Sequence, residues 1–178
     1  MDAVLVERAQ LELNRAHQCL NELATTKHVG EIAFRWANFL VTFERIFTRL
    51  EAAAGGKGNA WFGKVEQYRR TDPLLSYLRH ARNVDEHGIK AVAEPMPGRI
   101  GEVSAEPMDM ERPEAGMRVF LEVRDPHLAL VDVKDRGVIY PVPTSFRGDP
   151  ISAAHPMNVG LLGLSYADEV LTEARRQV

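Results

Sequence analysis

The stretch "EIAFRWANFLVTFERIFTRLEAAA", Glu31 to Ala54, decides the fold. Trp36, Phe39, Leu40, Phe43, Phe47 and Leu50 recur every three or four residues, which keeps them on one side of a 3.6-residue period. Arg35, Asn38, Thr42, Arg45 and Arg49 fall on the other side. A stripe of such large apolar side chains needs partners, so this helix is expected to sit inside a bundle. "GGKGN", residues 55–59, ends it through backbone freedom.

The flanking sequence supplies those partners. Upstream, a helix is expected from about Val4 to Leu23, with a looser apolar stripe of Val4, Ala9, Leu11, Leu13, Ala16 and Leu20. Downstream, a short helix from Ala60 to Arg70 leads into "TDP". There Asp72 can accept from the free amides of the next helix, with Pro73 at a first position that needs no donor. Leu74, Tyr77, Leu78, Ala81 and Val84 form the apolar arc of that fourth helix, which Gly88 is expected to end.

The texture then changes. "EPMPGRIGEVSAEPMDMERPEAG", residues 94–116, holds four prolines and three glycines, with 6 acidic residues against 2 basic, and reads as an acidic connector. "MRVFLEV", "LALVDVK" and "GVIYPVP", the last after the turn "KDRG", suggest a small antiparallel β unit. A closing helix from Pro156 to Arg175 puts Met157, Leu161, Leu164, Ala167, Leu171 and Ala174 on one face. The expected fold is mainly α: an antiparallel helical bundle with a small antiparallel β unit and a C-terminal helix. Residues 1–93 form the bundle, 94–116 the connector, and 117–178 the β unit and closing helix, packed on the same domain.

The totals bound the function. A chain of 178 residues is enough for one domain with a good core. The net charge of −3 disfavours nucleic-acid binding driven by overall charge, but it conceals a split. Residues 1–93 hold 13 Lys and Arg against 11 Asp and Glu, and residues 94–178 hold 9 against 14, so an anionic ligand is expected on the first half. The one cysteine, Cys19, excludes an internal disulfide and a cysteine-based zinc site within one chain. "MDAVLVERAQLELNRAH" lacks a basic n-region and a long apolar run, and no stretch approaches roughly 18 uncharged apolar residues. Neither a signal peptide nor a membrane span is expected, and the compartment is taken as a reducing cytoplasm.

Three familiar chemistries fail on inspection. "GNAWFGKV", residues 58–65, fits the phosphate-loop spacing, but it follows a helix, holds Trp61 and Phe62 inside the loop, and has Val65 where a hydroxyl should hold magnesium. Trp61 and Phe62 read instead as core anchors of the third helix. His80 and His87 lie two helical turns apart, too far for one ion, and His17, His28, His127 and His155 have no partner at ligand spacing. Hence no metal and no cofactor are expected. No G-x-S-x-G elbow is present.

What remains is "YLRHARNVDEHG", Tyr77 to Gly88. On a helical wheel Arg79, Asn83, Glu86 and His87 point away from the apolar arc, with His80 beside them and Arg82 on the flank. One account is a solvated face in which Arg82 pairs with Glu86 and Arg79 with Asn83, its basic groups favouring the helix C-terminus. The other is a site. Imidazole titrates near neutrality and moves protons, and a guanidinium offers a planar fork to phosphate oxygens.

"RNVDEH", Arg82 to His87, resembles the signature of the HEPN superfamily: an arginine, a polar residue directly after it, a short spacer, then a histidine. The arrangement from about Val29 to Gly88 is similar too, with the motif on a late helix behind a long aromatic-rich one. Nothing after about Glu94 is covered. The resemblance implies a metal-independent endoribonuclease acting as a homodimer, with the motifs of two protomers facing one cleft. Arg82 would neutralise the scissile phosphate, His87 would move protons around the attacking 2′-hydroxyl and the leaving oxygen, and Asn83 would orient His87 or the phosphate. Arg79, His80, Arg45 and Arg49 would contact the RNA; Lys64 to Arg82 holds 5 Lys and Arg against 2 Asp and Glu, which favours this end of the chain. Glu44 is either the acidic residue that some relatives place facing the motif, or a surface charge paired with an arginine.

Geometry agrees with a dimer, since Arg82 and His87 are separated by about 140° around one helix and cannot easily aim at one phosphate. Ile89 stands where some HEPN toxins carry a modifiable tyrosine, so regulation by that route is not expected. The resemblance leaves two functions open. One is the ribonuclease, acting as a toxin or defence effector with a protein partner such as an antitoxin. The other is a catalytically inactive HEPN-like module for binding or dimerisation, its β unit and acidic connector contacting a protein partner.

Overall fold

The aromatic stripe at 31–54 becomes the spine of the core. In the computed structural model, which describes residues 1–26, 28–56, 58–86, 92–96, 99–107, 117–124 and 127–178, it belongs to α2 (Val29–Ala53). Around it lie α1 (Ala3–Thr25), α3 (Ala60–Thr71), α4 (Pro73–Glu86) and the closing α5 (Pro156–Arg175). Trp36, Phe39, Leu40, Phe43, Phe47 and Leu50 are all buried, joined by Ile46. Their rings form a column. Trp36–Phe39, Phe39–Phe43 and Phe43–Phe47 are 5.1, 5.7 and 5.2 Å apart, and the column continues through Tyr166 of α5 (6.0 Å from Phe47) to Tyr68 of α3 (5.3 Å). Each fully buried side chain of this size stabilises by about 1.5–3 kcal/mol, so one column ties three helices together. Burial pushes the Tyr166 hydroxyl up to about 12, and as a neutral group it donates to the Val65 carbonyl at 3.3 Å.

Three details differ from the sequence expectations. Thr42 is buried rather than wet, because α1 packs across that flank of α2; its hydroxyl donates to the Asn38 carbonyl at 2.7 Å. On α1 the buried stripe is Val6, Ala9, Leu13, Ala16, Leu20 and Leu23, with Val4 and Leu11 exposed. On α5 Leu161 is exposed, and the contact face is built on Gly160 and Gly163. A Cβ at Gly160 would lie 2.8 Å from Leu20 Cδ2, and one at Gly163 2.7 Å from Leu78 Cδ1, so these glycines let α5 approach α1 and α4 closely. Of the two rings read as anchors of α3, Phe62 is buried and Trp61 partly so. The loop tested for phosphate binding is the N-terminus of α3, where Asn59 accepts from the amides of Trp61 and Phe62.

The β layer consists of antiparallel pairs. β1 (Ala93–Met96) pairs with β4 (His127–Leu130), and β2 (Arg99–Pro107) with β3 (Met117–Arg124). The two ladders share a register, Met96 facing His127 and Arg99 facing Arg124. The stretch expected as a connector therefore carries strands over part of its length. Its prolines misled because each ladder has only two strands, where every strand is an edge and a missing amide is tolerated. The rest of that stretch, residues 97–98 and 108–116, and Gly88 as a helix stop lie outside the described residues.

Two tight hairpins follow, β5 (Val133–Asp135) with β6 (Val138–Tyr140), and β7 (Ser145–Phe146) with β8 (Asp149–Pro150). Each turns on an Arg-Gly pair, Arg136-Gly137 and Arg147-Gly148, with positive φ at both residues. That is the turn whose twist matches antiparallel strands. Both hairpins reach α4. At its start, Asp72 Oδ1 accepts from the amides of Leu74 and Leu75, and Oδ2 accepts from the Arg147 amide at 2.9 Å. The Arg147 side chain pairs in turn with Glu169 of α5. In the middle of α4, the buried Tyr77 hydroxyl donates to the carbonyls of Val131 (2.9 Å) and Val92 (3.3 Å).

Asp72→Ala should lower stability by about 2–4 kcal/mol, combining a lost helix cap with an orphaned amide at Arg147. Asp72→Asn, which keeps an acceptor oxygen, should cost less. Urea unfolding checks this, and a loss below about 0.5 kcal/mol for the alanine variant would show that Asp72 does not hold the corner.

Candidate functional site

The polar side of α4 is not a free solvated face. Ser76, Arg79, His80 and Asn83 recur at helical spacing and line one wall of a cleft of about 490 Å³. The opposite wall comes from the second-to-last hairpin: Asp135, Arg136, Val138 and Tyr140, with Arg70 of α3 at the rim. Strand alternation explains the hairpin's part. Val133 and Asp135 are buried and Lys134 between them is exposed, while Tyr140 sits across from Val133 and Val138 across from Asp135. Asp135 and Tyr140 thus share the face turned toward α4.

Asp135 is the hub. Its Oδ2 lies 2.7 Å from His80 Nδ1 and accepts from the Asn83 side-chain amide at 3.0 Å. The hydrogen bond with His80, then that from Asn83, holds the Asp135 carboxyl below the usual carboxylate range despite its burial. An ionised carboxylate only accepts, so His80 Nδ1 carries the hydrogen and the neutral ring keeps Nε2 as its basic nitrogen. The imidazole also stacks on Tyr140, centroids 3.5 Å apart and planes at 12°. Its side chain keeps 22% exposure, enough to meet a ligand in the cleft.

Beside this lies a charge network centred on Glu66, which pairs with Arg79, with Arg70 at 3.3 Å and with Arg69 at 3.2 Å. Arg69 is buried, rests over the Phe47 ring at 3.8 Å, and pairs with Glu44 at 2.5 Å. Glu44 is therefore the acid of a tertiary ion pair. Burial raises the Glu66 carboxyl, but Arg69 and Arg79 outweigh it and leave the group below its ordinary value. Arg79 thus finds its partner on α3, not in Asn83 as the solvated-face account expected. Arg136, at the hairpin tip, is exposed and lines the same cleft, and its charge helps to hold the adjacent Asp135 carboxyl ionised.

The structure brings Arg79, His80 and Asn83 into one cleft. Arg82 is half-buried and donates to Asn83 Oδ1 at 3.3 Å, linking the first two positions of the motif. His87 lies outside the described residues. Arg45 lines a different cleft, with Arg15, Glu22 and Thr42 on the α1–α2 face, and Arg49 lines neither. Sequence reasoning missed Asp135, Tyr140 and Glu66. The available signal was an aspartate at an inward position of a strand, one residue before a turn.

Among the described residues no three His, Cys, Asp or Glu side chains come together to hold a metal ion, and no helix is long and apolar enough to cross a membrane. Compared with known proteins, the chain matches no family model, no curated protein and no solved structure.

Asp135 gives the site a signature in stability. Its folded-state pKa lies below the unfolded value of about 3.9, so the interaction contributes fully above that pH and is lost as pH falls through the folded value. Asp135→Asn should therefore cost about 1–3 kcal/mol at neutral pH, with a deficit that shrinks in acid. Urea midpoints near pH 7 and pH 3 measure it. An equal deficit at both would mean that the carboxylate charge contributes nothing.

Proposed function

We propose that this protein is an endoribonuclease of HEPN type, independent of metal ions, that acts as a homodimer and holds RNA along the polar side of α4. The observation that carries the reading is the cleft itself. Asn83 of the Arg82-Asn83-x3-His87 motif shares it with an imidazole and with Arg70, Arg79 and Arg136. Arg136 and the largely exposed Arg70 can meet phosphate oxygens, which RNA affinity requires. On this reading Arg82 neutralises the scissile phosphate, His87 moves protons at the reacting oxygens, and Asn83 orients the group beside it. A second protomer supplies what one helix cannot aim at a single phosphate. In the cell the activity would suit a cytoplasmic toxin or defence effector restrained by a protein partner such as an antitoxin.

A second reading, a HEPN-like module that binds or dimerises without cleaving, is favoured by a different observation. Glu66 already occupies Arg79 and Arg70, and Asp135 already occupies the Asn83 amide, so much of the cleft's chemistry is satisfied internally.

Incubation of the purified protein with mixed RNA in EDTA separates the two. The ribonuclease should fragment the RNA, and Arg82→Ala and His87→Ala should each slow it at least about a hundredfold. Intact RNA with the wild-type protein would remove the enzyme and leave the module.

A further inference from the structure

We infer that His80, held by Asp135, is a proton-transferring residue for phosphodiester cleavage, so that the cleft of a single protomer carries acid–base chemistry of its own. This rests on the ribonuclease reading and adds to it a group that lies outside the Arg82-to-His87 motif. Three features carry it. The ring is fixed twice, by the 2.7 Å contact from Nδ1 to Asp135 and by stacking on Tyr140 at 3.5 Å. With Nδ1 spent on the carboxylate, Nε2 is left as the basic nitrogen of the neutral ring, and an imidazolium formed there would be stabilised by the same carboxylate. The surroundings are suited to an anionic substrate, with Arg70, Arg79 and Arg136 lining the same cleft.

The geometry also speaks against an acyl-transfer alternative. Ser76 lines the cleft one turn before His80, but no hydrogen bond joins it to the imidazole among the described residues, so no serine nucleophile is assembled. A substrate that brings its own nucleophile fits better, and RNA does. In the step assigned to His80, Nε2 takes the proton of a ribose 2′-hydroxyl as that oxygen bonds to the adjacent phosphorus. The bond from phosphorus to the 5′-oxygen breaks, and that oxygen leaves with the proton that the ribonuclease reading assigns to His87. The products are a 2′,3′-cyclic phosphate and a 5′-hydroxyl end, and the imidazolium returns its proton to solvent. Asp135 stays ionised throughout, as a positioning residue.

The test is cleavage of a labelled RNA in EDTA by the full-length wild-type protein and its His80→Ala, Asp135→Asn and His87→Ala variants, with melting curves to confirm folding. His80→Ala should lower kcat at least about a hundredfold, and added imidazole should restore at least about tenfold of that loss by occupying the space on Tyr140. Asp135→Asn should lower kcat about tenfold with KM within about twofold. Should His80→Ala melt below the assay temperature, His80→Asn, whose amide can still reach Asp135, replaces it. Cleavage at full rate by His80→Ala, or a loss that imidazole does not repair, overturns the inference and leaves the ribonuclease reading standing. Intact RNA with the wild-type protein overturns both.

Discussion

The polar groups along α4 need hydrogen-bond partners, and all of those partners but Val92 lie in the last third of the chain. Tyr77 in the middle of the helix uses carbonyls at Val131 and Val92, Asp72 at its start takes the Arg147 amide, and His80 and Asn83 near its end share one oxygen of Asp135. Leaving any one of these buried groups unpaired costs about 1–3 kcal/mol, comparable to the whole contribution of a core side chain. The two Arg-Gly hairpins are thus more than decoration on a helical bundle. They supply the acceptors and donors that allow a helix with an apolar arc to carry a polar stripe against protein as well as against water. The cleft is a by-product of that arrangement, since its walls are the helix and the hairpin that satisfies it.

The network around Glu66 solves a related problem with charge. Arg69 is buried between Phe47 and two carboxylates, and a buried cation survives only when its opposite charges are close and fixed. Glu66 also reaches Arg79, which stands next to His80. The ion pairs at the junction of α2, α3 and α4 therefore adjoin the cleft and set the position of one of its guanidiniums. Any anion entering there competes with Glu66 for Arg79 and Arg70.

How much of this the chain reveals follows from distance along it. The α2 stripe was legible because its spacing is local and its residues are large. Asp72 as a cap, the apolar arc of α4 and the closing helix were legible for the same reason. The α1 stripe was misjudged because Val4 and Leu11 are as apolar as the buried positions, and only the packing of α2 and α5 tells the sides apart. On α5 the contact was hidden in Gly160 and Gly163, which carry no hydrophobic signal although they decide how close the helices come. At the candidate site the sequence drew attention to Arg79, His80, Arg82 and Asn83, but marked Asp135 only as an inward aspartate before a turn, with nothing to tie it or Tyr140 to α4. The pairing of a histidine with an aspartate 55 positions later leaves no periodicity to read.

That same separation has a consequence in time. A ribosome adding roughly 5–20 residues per second makes His80 about 3–11 s before it makes Asp135. Until then α2, α3 and α4 can gather around the part of the aromatic column that α2 supplies, without Tyr166, but the imidazole has neither its carboxylate nor the ring of Tyr140 to face it. The nascent protein would carry a formed scaffold and an unaimed histidine, and any reactivity of the cleft would be switched on by the final third of synthesis.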